Sequence, residues 1–177
     1  MKAVYSGLSL HHAKAAPFKE LIQDLPRTPE VLGLDNYVQH LNTSRLQHSL
    51  NVAYYAYLIS KNMDVNHKDL VRGALLHDLF LYDWREVNAS AQEHLHLHPR
   101  VALENAKKIT EVSEVMEDVI VNHMWPLGNA KPKTKEAWIV QASDKLCTVF
   151  EISYQSLQAL RHPQISGMML SLLFVLR

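Results

Sequence analysis

Apolar and polar positions alternate along this chain with a helical period almost throughout. Leu70, Ala74, His77 and Leu81 recur on one face with Val71, Leu75 and Asp78 beside them, which predicts a buried helix capped by Asn66 or Asp69. Thr43 or Ser44 caps an earlier helix that runs to about residue 62. Its stripes of Leu46, Leu50, Ala53, Tyr57 and of His48, Val52, Ala56, Ile59 make it apolar on two sides, as a central helix is. His98-Pro99 is expected to open a further helix, because proline suits the first helical position. Val101, Ala102, Asn105, Ala106 and Ile109 continue its inward face. Val112, Val115, Met116, Val119, Ile120 and His123 form the next stripe, stopped by Trp125-Pro126. Thr134 caps a long helix over 135–160 whose expected core face is Ile139, Ala142, Leu146, Val149 and Phe150. Shorter segments are expected at 19–25, at 32–41 and at 165–177. Strand-like alternation is scarce and no linker or internal repeat divides the chain, so an all-α fold is expected, as one domain over 1–177.

Composition narrows the functional classes. The 177 residues carry 18 Lys plus Arg and 18 Asp plus Glu, a formal balance that gives no general pull toward nucleic acid or an anionic membrane. Neither partner is expected; a homodimer is allowed. One cysteine, Cys147, excludes an internal disulfide and a cysteine-rich zinc site, and its apolar surroundings read as core. The longest apolar stretch, 168–176, is too short to span a bilayer, and the N-terminus does not read as a secretory signal. A cytoplasmic location is the expectation.

Histidine is the unusual residue, with 11 copies. The inward candidates are His48, His77, Asp78, His98, His123 and Asp144, which fall on successive helices or at their ends. Most have a plainer reading when taken alone: the His77-Asp78 pair as a hydrogen-bonded core pair or a helix-end feature, His48 as a core histidine bonded to a carbonyl, His123 as a core histidine and Asp144 as an exposed acid. His11, His12 and His40 have no spaced partner and read as surface residues; His94 and His96 read as rim residues or as substrate contacts. Burying a carboxylate such as Asp78 is costly unless a positive charge compensates it. Four imidazoles and two carboxylates suit Fe, Mn, Zn or Ni and exceed one tetrahedral centre, so two divalent ions bridged by Asp78 are expected.

The segments Arg45-Leu-Gln-His48-Ser-Leu-Asn-Val-Ala, Ala74-Leu-Leu-His77-Asp78, His98-Pro99, Val121-Asn-His123 and Ala142-Ser-Asp144-Lys145 together resemble the HD-domain superfamily of metal-dependent phosphohydrolases. The likeness covers about 44–155, leaving 1–43 and 160–177 as peripheral helical extensions, and it implies a helical bundle with a metal site in its core. It further implies that His48, His77, Asp78 and Asp144 bind one ion and that His98 and His123 hold a second, with Asp78 shared. Superfamily branches that degrade cyclic dinucleotides carry paired histidines and a Gly-Tyr-Pro motif; here Asn122-His123 and Trp125-Pro126-Leu127 stand instead.

The implied activity is hydrolysis of a phosphoester or phosphoanhydride in a small phosphorylated substrate, a nucleotide by expectation, through a metal-activated water. Lys145, then Arg72, then Lys131 and Lys133 are candidates to offset phosphate charge, and Asp83, Trp84 and Trp125 to line the pocket. Each of these also reads as an ordinary surface charge or packing residue. Two rivals share the ligand set: a di-iron oxygenase and a regulatory module without turnover.

Overall fold

All but the first of the described α-helices begin where a short polar side chain accepts from a free backbone N–H. The computed structural model describes residues 16–86, 90–128 and 130–161. Helix α1 (Ala16–Ile22) is followed by a 3-10 turn and by α2 (Pro29–Gly33), where the Thr28 hydroxyl accepts from Val31 N. A short antiparallel hairpin comes next, β1 (Val38–His40) against β2 (Thr43–Ser44), with Leu41 turning the corner at φ 49°. Ser44 caps α3 (Arg45–Ser60) through Gln47 N, and Asn66 caps α4 (His67–Leu76) through Asp69 N. Helix α5 (Ala91–Ile109) starts with a reciprocal Ser90–Glu93 capping box, α6 (Glu114–Asn122) is capped by Ser113, and Thr134 receives Ala137 N at the start of α7 (Lys135–Arg161).

Helices α3, α4, α6 and α7 pack on one another, with α1 against α4 and α5 against α6. Val52, Ala53, Leu70, Val71, Ala74, Leu75, Val119, Ala137 and Val140 are all fully buried between them. Helix α4 meets α6 at Gly73, where a Cβ would lie 2.8 Å from Val119 Cγ1. That close approach, made possible by the missing side chain, sets the helix ends carrying His77 and His123 side by side, with ring centroids 4.8 Å apart. The α6–α7 connection is held by buried Asp118, whose carboxylate accepts from Lys133 N, Thr134 N, Thr134 Oγ1 and Asn122 Nδ2.

The all-α expectation holds, but three local expectations do not. The segment 32–41 is not one helix: α2 ends at Gly33 and the chain then turns into the hairpin. Helix α5 begins at Ala91, seven residues before His98, so Pro99 lies inside it and His98 in its second turn. The Ser90 capping box outcompetes the proline signal as a start. On α7, Leu146, Val149 and Phe150 are 48, 59 and 56 % exposed and Ala142 is exposed as well, while Ala137, Val140, Ser143, Cys147 and Glu151 face inward. The helix is turned so that Asp144 and Glu151 address the bundle, and the apolar stripe is carried outward with that rotation. No helix among the described residues is long and apolar enough to cross a membrane. The expected C-terminal segment 165–177 and the histidines His11 and His12 lie outside the described residues.

Asp118→Ala is expected to lower folding stability by about 2 kcal/mol, because two backbone N–H groups and a hydroxyl lose their shared acceptor. Urea unfolding measures this as a lower midpoint at unchanged slope; an unmoved midpoint counts against the role given to Asp118.

Candidate metal centre

The site is assembled where helices end. The last carbonyls of a helix have no intrahelical partner, and two histidines use them. His77, at the C-cap of α4, donates Nδ1–H to Ala74 O at 2.7 Å, and His123, at the C-cap of α6, donates Nδ1–H to Ile120 O at 2.7 Å. His98, inside α5, donates Nδ1–H to the carbonyl one turn back, His94 O, at 2.7 Å. A carbonyl only accepts, so the proton of each ring is on Nδ1 and its Nε2 carries a lone pair.

Those Nε2 atoms converge on Asp78. His98 Nε2 and His123 Nε2 lie 3.3 and 3.6 Å from Asp78 Oδ1, and His77 Nε2 lies 3.5 Å from Oδ2. His98 Nε2 and His123 Nε2 are themselves 3.2 Å apart. His48 Nε2 reaches Asp144 Oδ1 at 3.0 Å, and His77 Nε2 is 3.8 Å from the same oxygen. Two overlapping sets result: His48, His77 and Asp78, joined by Asp144, and Asp78, His98 and His123. Asp78 is common to both. All six residues that the sequence singled out as ligands are thus brought together, and the four histidines and Asp78 are buried.

The donor set fits a cation. His77 Nε2 and Asp78 Oδ1 are buried without a hydrogen-bond partner, and unpaired lone pairs a few ångströms apart repel unless a positive charge lies among them. The ends of α4 and α6 add the negative poles of their helix dipoles. The surroundings set the protonation of these groups apart from one another. Burial opposes charge on His48, but the hydrogen bonds and charges of Asp144 and Glu151 outweigh it and raise its pKa to about 10. His123 is driven the other way, to about 3, by burial and by the neighbouring His77. Burial would raise the Asp144 carboxyl, yet the hydrogen bond from His48 and the charge on that ring hold it well below the usual carboxylate range.

A cavity of about 510 Å³ opens onto these residues, and its lining includes Asp78, His98, His123, Asp144, Lys145, Trp84 and Arg85. The half-buried Lys145 donates Nζ–H to His123 O at 3.3 Å, and burial lowers its pKa against the pull of Asp144. Trp84 lines the wall stacked on His94, with ring centroids 5.2 Å apart and planes at 12°. His94 therefore belongs to the cavity, whereas His96 is exposed and does not line it.

Other sequence expectations are corrected here. Arg72 does not reach the cavity: its guanidinium is bound to Asp24 by two contacts of 2.6 and 2.9 Å and to Thr110 Oγ1 at 2.7 Å. Asp83 faces Arg85, and Trp125 packs edge-on against Trp138; neither lines the cavity, nor do the exposed Lys131 and Lys133. His40 is not a surface bystander. It lines the cavity, bonds Thr148 Oγ1 at 3.1 Å and sits edge-on to His48.

Three residues were missed. Gln39 donates Nε2–H to Asp78 Oδ2 at 2.6 Å, oriented by Arg45, which donates Nε–H to its Oε1 at 3.0 Å. Arg45 is buried against the Phe80 ring, 3.5 Å from its centroid, and donates to the carbonyls of Phe80 and Tyr82. Glu151 accepts from His48 Nδ1. Gln39 gave no periodic signal, but an Arg three residues before His48 and an acid two turns after Asp144 were both readable.

Comparison with known proteins agrees with this arrangement. Residues 45–148 match the HD domain, and the chain belongs to the HD-domain family, in general one of metal-dependent phosphohydrolases. It is similar to ribonuclease Y of Lawsonia intracellularis, 31 % identical over 121 residues that are 68 % of this chain and 21 % of that protein. Ribonuclease Y of Desulforudis audaxviator is 30 % identical over 121 residues, with the same two shares, and that of Thermotoga petrophila 28 % identical over 132 residues, 74 % of this chain and 24 % of the relative. The chain thus spans about a fifth to a quarter of the length of these relatives. No solved structure matches it.

With a pKa near 3, His123 is expected to stay neutral across pH 5–8 in the metal-free protein, protonated on Nδ1. Long-range ¹H–¹⁵N NMR should show a flat titration and an unprotonated Nε2; a midpoint near 6.5 contradicts the assigned environment.

Proposed function

We propose that the protein is a metal-dependent phosphohydrolase that cleaves a phosphoester or phosphoanhydride of a nucleotide at a centre of two divalent ions. The observation that carries the reading is the sharing of Asp78 by two donor sets at the floor of a cavity. His48, His77, Asp78 and Asp144 would hold one ion and His98, His123 and Asp78 the other. Nitrogen and carboxylate oxygen donors without thiolate suit Fe, Mn, Zn or Ni. When bound, such ions supply a Lewis acid that lowers the pKa of water and offsets phosphate charge.

The rest falls to the chain's own side chains. Lys145 places an ammonium beside Asp144 at the cavity wall, where it stabilises the charge that builds on phosphoryl oxygens as the bond breaks. Gln39 and Arg45 hold the Asp78 carboxylate in one orientation. Trp84, stacked on His94, offers an aromatic face for a nucleobase, and Leu95, Met124 and Leu127 add apolar wall that excludes water from the reacting bond. In this reading the 177 residues act as a single domain.

The likeness to ribonuclease Y supports a second reading, in which the phosphoester lies in RNA. This runs against the expectation of no nucleic-acid partner that the balanced charge suggested. The two readings separate in one assay: anaerobic incubation, with each candidate metal restored, against a panel of mononucleotides and against short RNA. Phosphate release from a nucleotide supports the first reading and shortening of the RNA the second. No hydrolysis of either under any metal overturns both, as does turnover that requires oxygen.

Asp78→Ala is expected to lose both ions and hydrolysis together, read by elemental analysis beside the assay; a variant with full metal content removes the bridge. Lys145→Ala should keep its metal and lose about 10- to 100-fold in kcat/KM. An unchanged kcat/KM takes Lys145 out of the mechanism.

A further inference from the structure

Three of the four converging histidines fix their Nδ1 proton on a backbone carbonyl; His48 does not. It is the fourth residue of the 16-residue α3, and it turns Nδ1 away from its own helix. The acceptor comes from another element. Glu151 supplies one from α7: Oε2 lies 3.0 Å from His48 Nδ1, and the residue is 1 % exposed.

Both oxygens of the carboxylate are engaged. Its second oxygen, Oε1, accepts from Asn51 Nδ2 at 2.9 Å, and Asn51 Oδ1 in turn accepts from Gln47 Nε2 at 2.9 Å. A carboxylate accepts only, so the Asn51 amide has one orientation, and the donors converge on Glu151 from both sides, Gln47 through Asn51 on Oε1 and His48 on Oε2. A buried carboxylate of this kind is tolerated when donors meet it; here the donors are the Asn51 amide and the His48 ring. With Nδ1–H committed to Glu151, the remaining ring nitrogen, Nε2, is left facing Asp144 Oδ1 at 3.0 Å. Glu151 lies beyond the family-matched residues 45–148.

We propose that Glu151 is the positioning residue for His48, accepting the hydrogen bond from its Nδ1–H so that Nε2 is presented, unprotonated and correctly aimed, to the ion held with His77, Asp78 and Asp144. This rests on the metal-site reading given above. The carboxylate also raises the basicity of the ring it holds, as carboxylate partners of metal-bound histidines do, and loss of such a partner weakens metal binding by about 10- to 100-fold. The effect is confined to one of two ions, since His98 and His123 draw on His94 O and Ile120 O instead.

The test uses the full chain, its Glu151→Gln and Glu151→Ala variants, and Mn²⁺ as the probe. Mn²⁺ titration followed by EPR counts the sites and their affinities, and circular dichroism melting reports the folded fraction of each variant. The expected result is two sites in the parent chain. In both variants one site weakens about 10- to 100-fold per folded molecule and the other stays within twofold. In the Zn²⁺-loaded parent, ¹⁵N NMR should show His48 protonated on Nδ1 and a strongly downfield proton there, which Glu151→Gln shifts upfield. If the variants melt earlier but bind both ions as the parent does, Glu151 is a stability residue and the proposal falls while the metal reading stands. A parent chain that binds no Mn²⁺ overturns both.

Discussion

Lone pairs brought together without a proton among them are the constraint on which this structure turns. Three imidazoles spend their only N–H on a carbonyl, so the Nε2 atoms of His77, His98 and His123 that meet around Asp78 have nothing of their own to share. His98 Nε2 and His123 Nε2 at 3.2 Å, and the unpartnered His77 Nε2 and Asp78 Oδ1, are the places where the repulsion is sharpest. Such a cluster is stable in a helical core when a cation completes it. The high pKa of His48 is the same demand answered with a proton.

The fold supplies this arrangement at modest expense in regular structure. Helices α4 and α6 both stop at the centre, and the carbonyls left free by stopping become the anchors that orient His77 and His123. Gly73 lets the two helices approach closely enough for those ends to meet, and Asp118 ties the departure of α6 to the start of α7, which returns Asp144 to the same place. Packing and chemistry are therefore not separable here: the residue that seals a helix end also aims a ligand nitrogen. The hairpin before α3 joins in through Gln39, which grips the shared carboxylate from outside the family-matched segment.

Much of this was legible in the chain, for physical reasons that differ by residue. His77, Asp78 and His123 could be read because each closes an apolar stripe of helical period, and a polar residue there needs a reason. Asp144 could be read through its Lys145 neighbour and the motif resemblance, although the apolar stripe drawn for its helix pointed the wrong way. That stripe, Leu146, Val149 and Phe150, is exposed because the inward positions went to Asp144 and Glu151, a choice that periodicity in hydrophobicity cannot register. Arg72 was misplaced because adjacency in sequence to His77 says nothing about direction: on α4 its side chain leaves toward Asp24 and Thr110. The start of α5 was missed because a proline was given more weight than a capping box. Gln39 and His40 gain their place only through the hairpin, a two-strand element too short to leave an alternation.

The most direct measurement is anomalous diffraction at the manganese edge from crystals of the full chain grown with Mn²⁺. The account predicts two peaks in the core, one among His48, His77, Asp78 and Asp144 and the other among Asp78, His98 and His123. Peaks only at the surface, or none within reach of the Asp78 carboxylate, would contradict it.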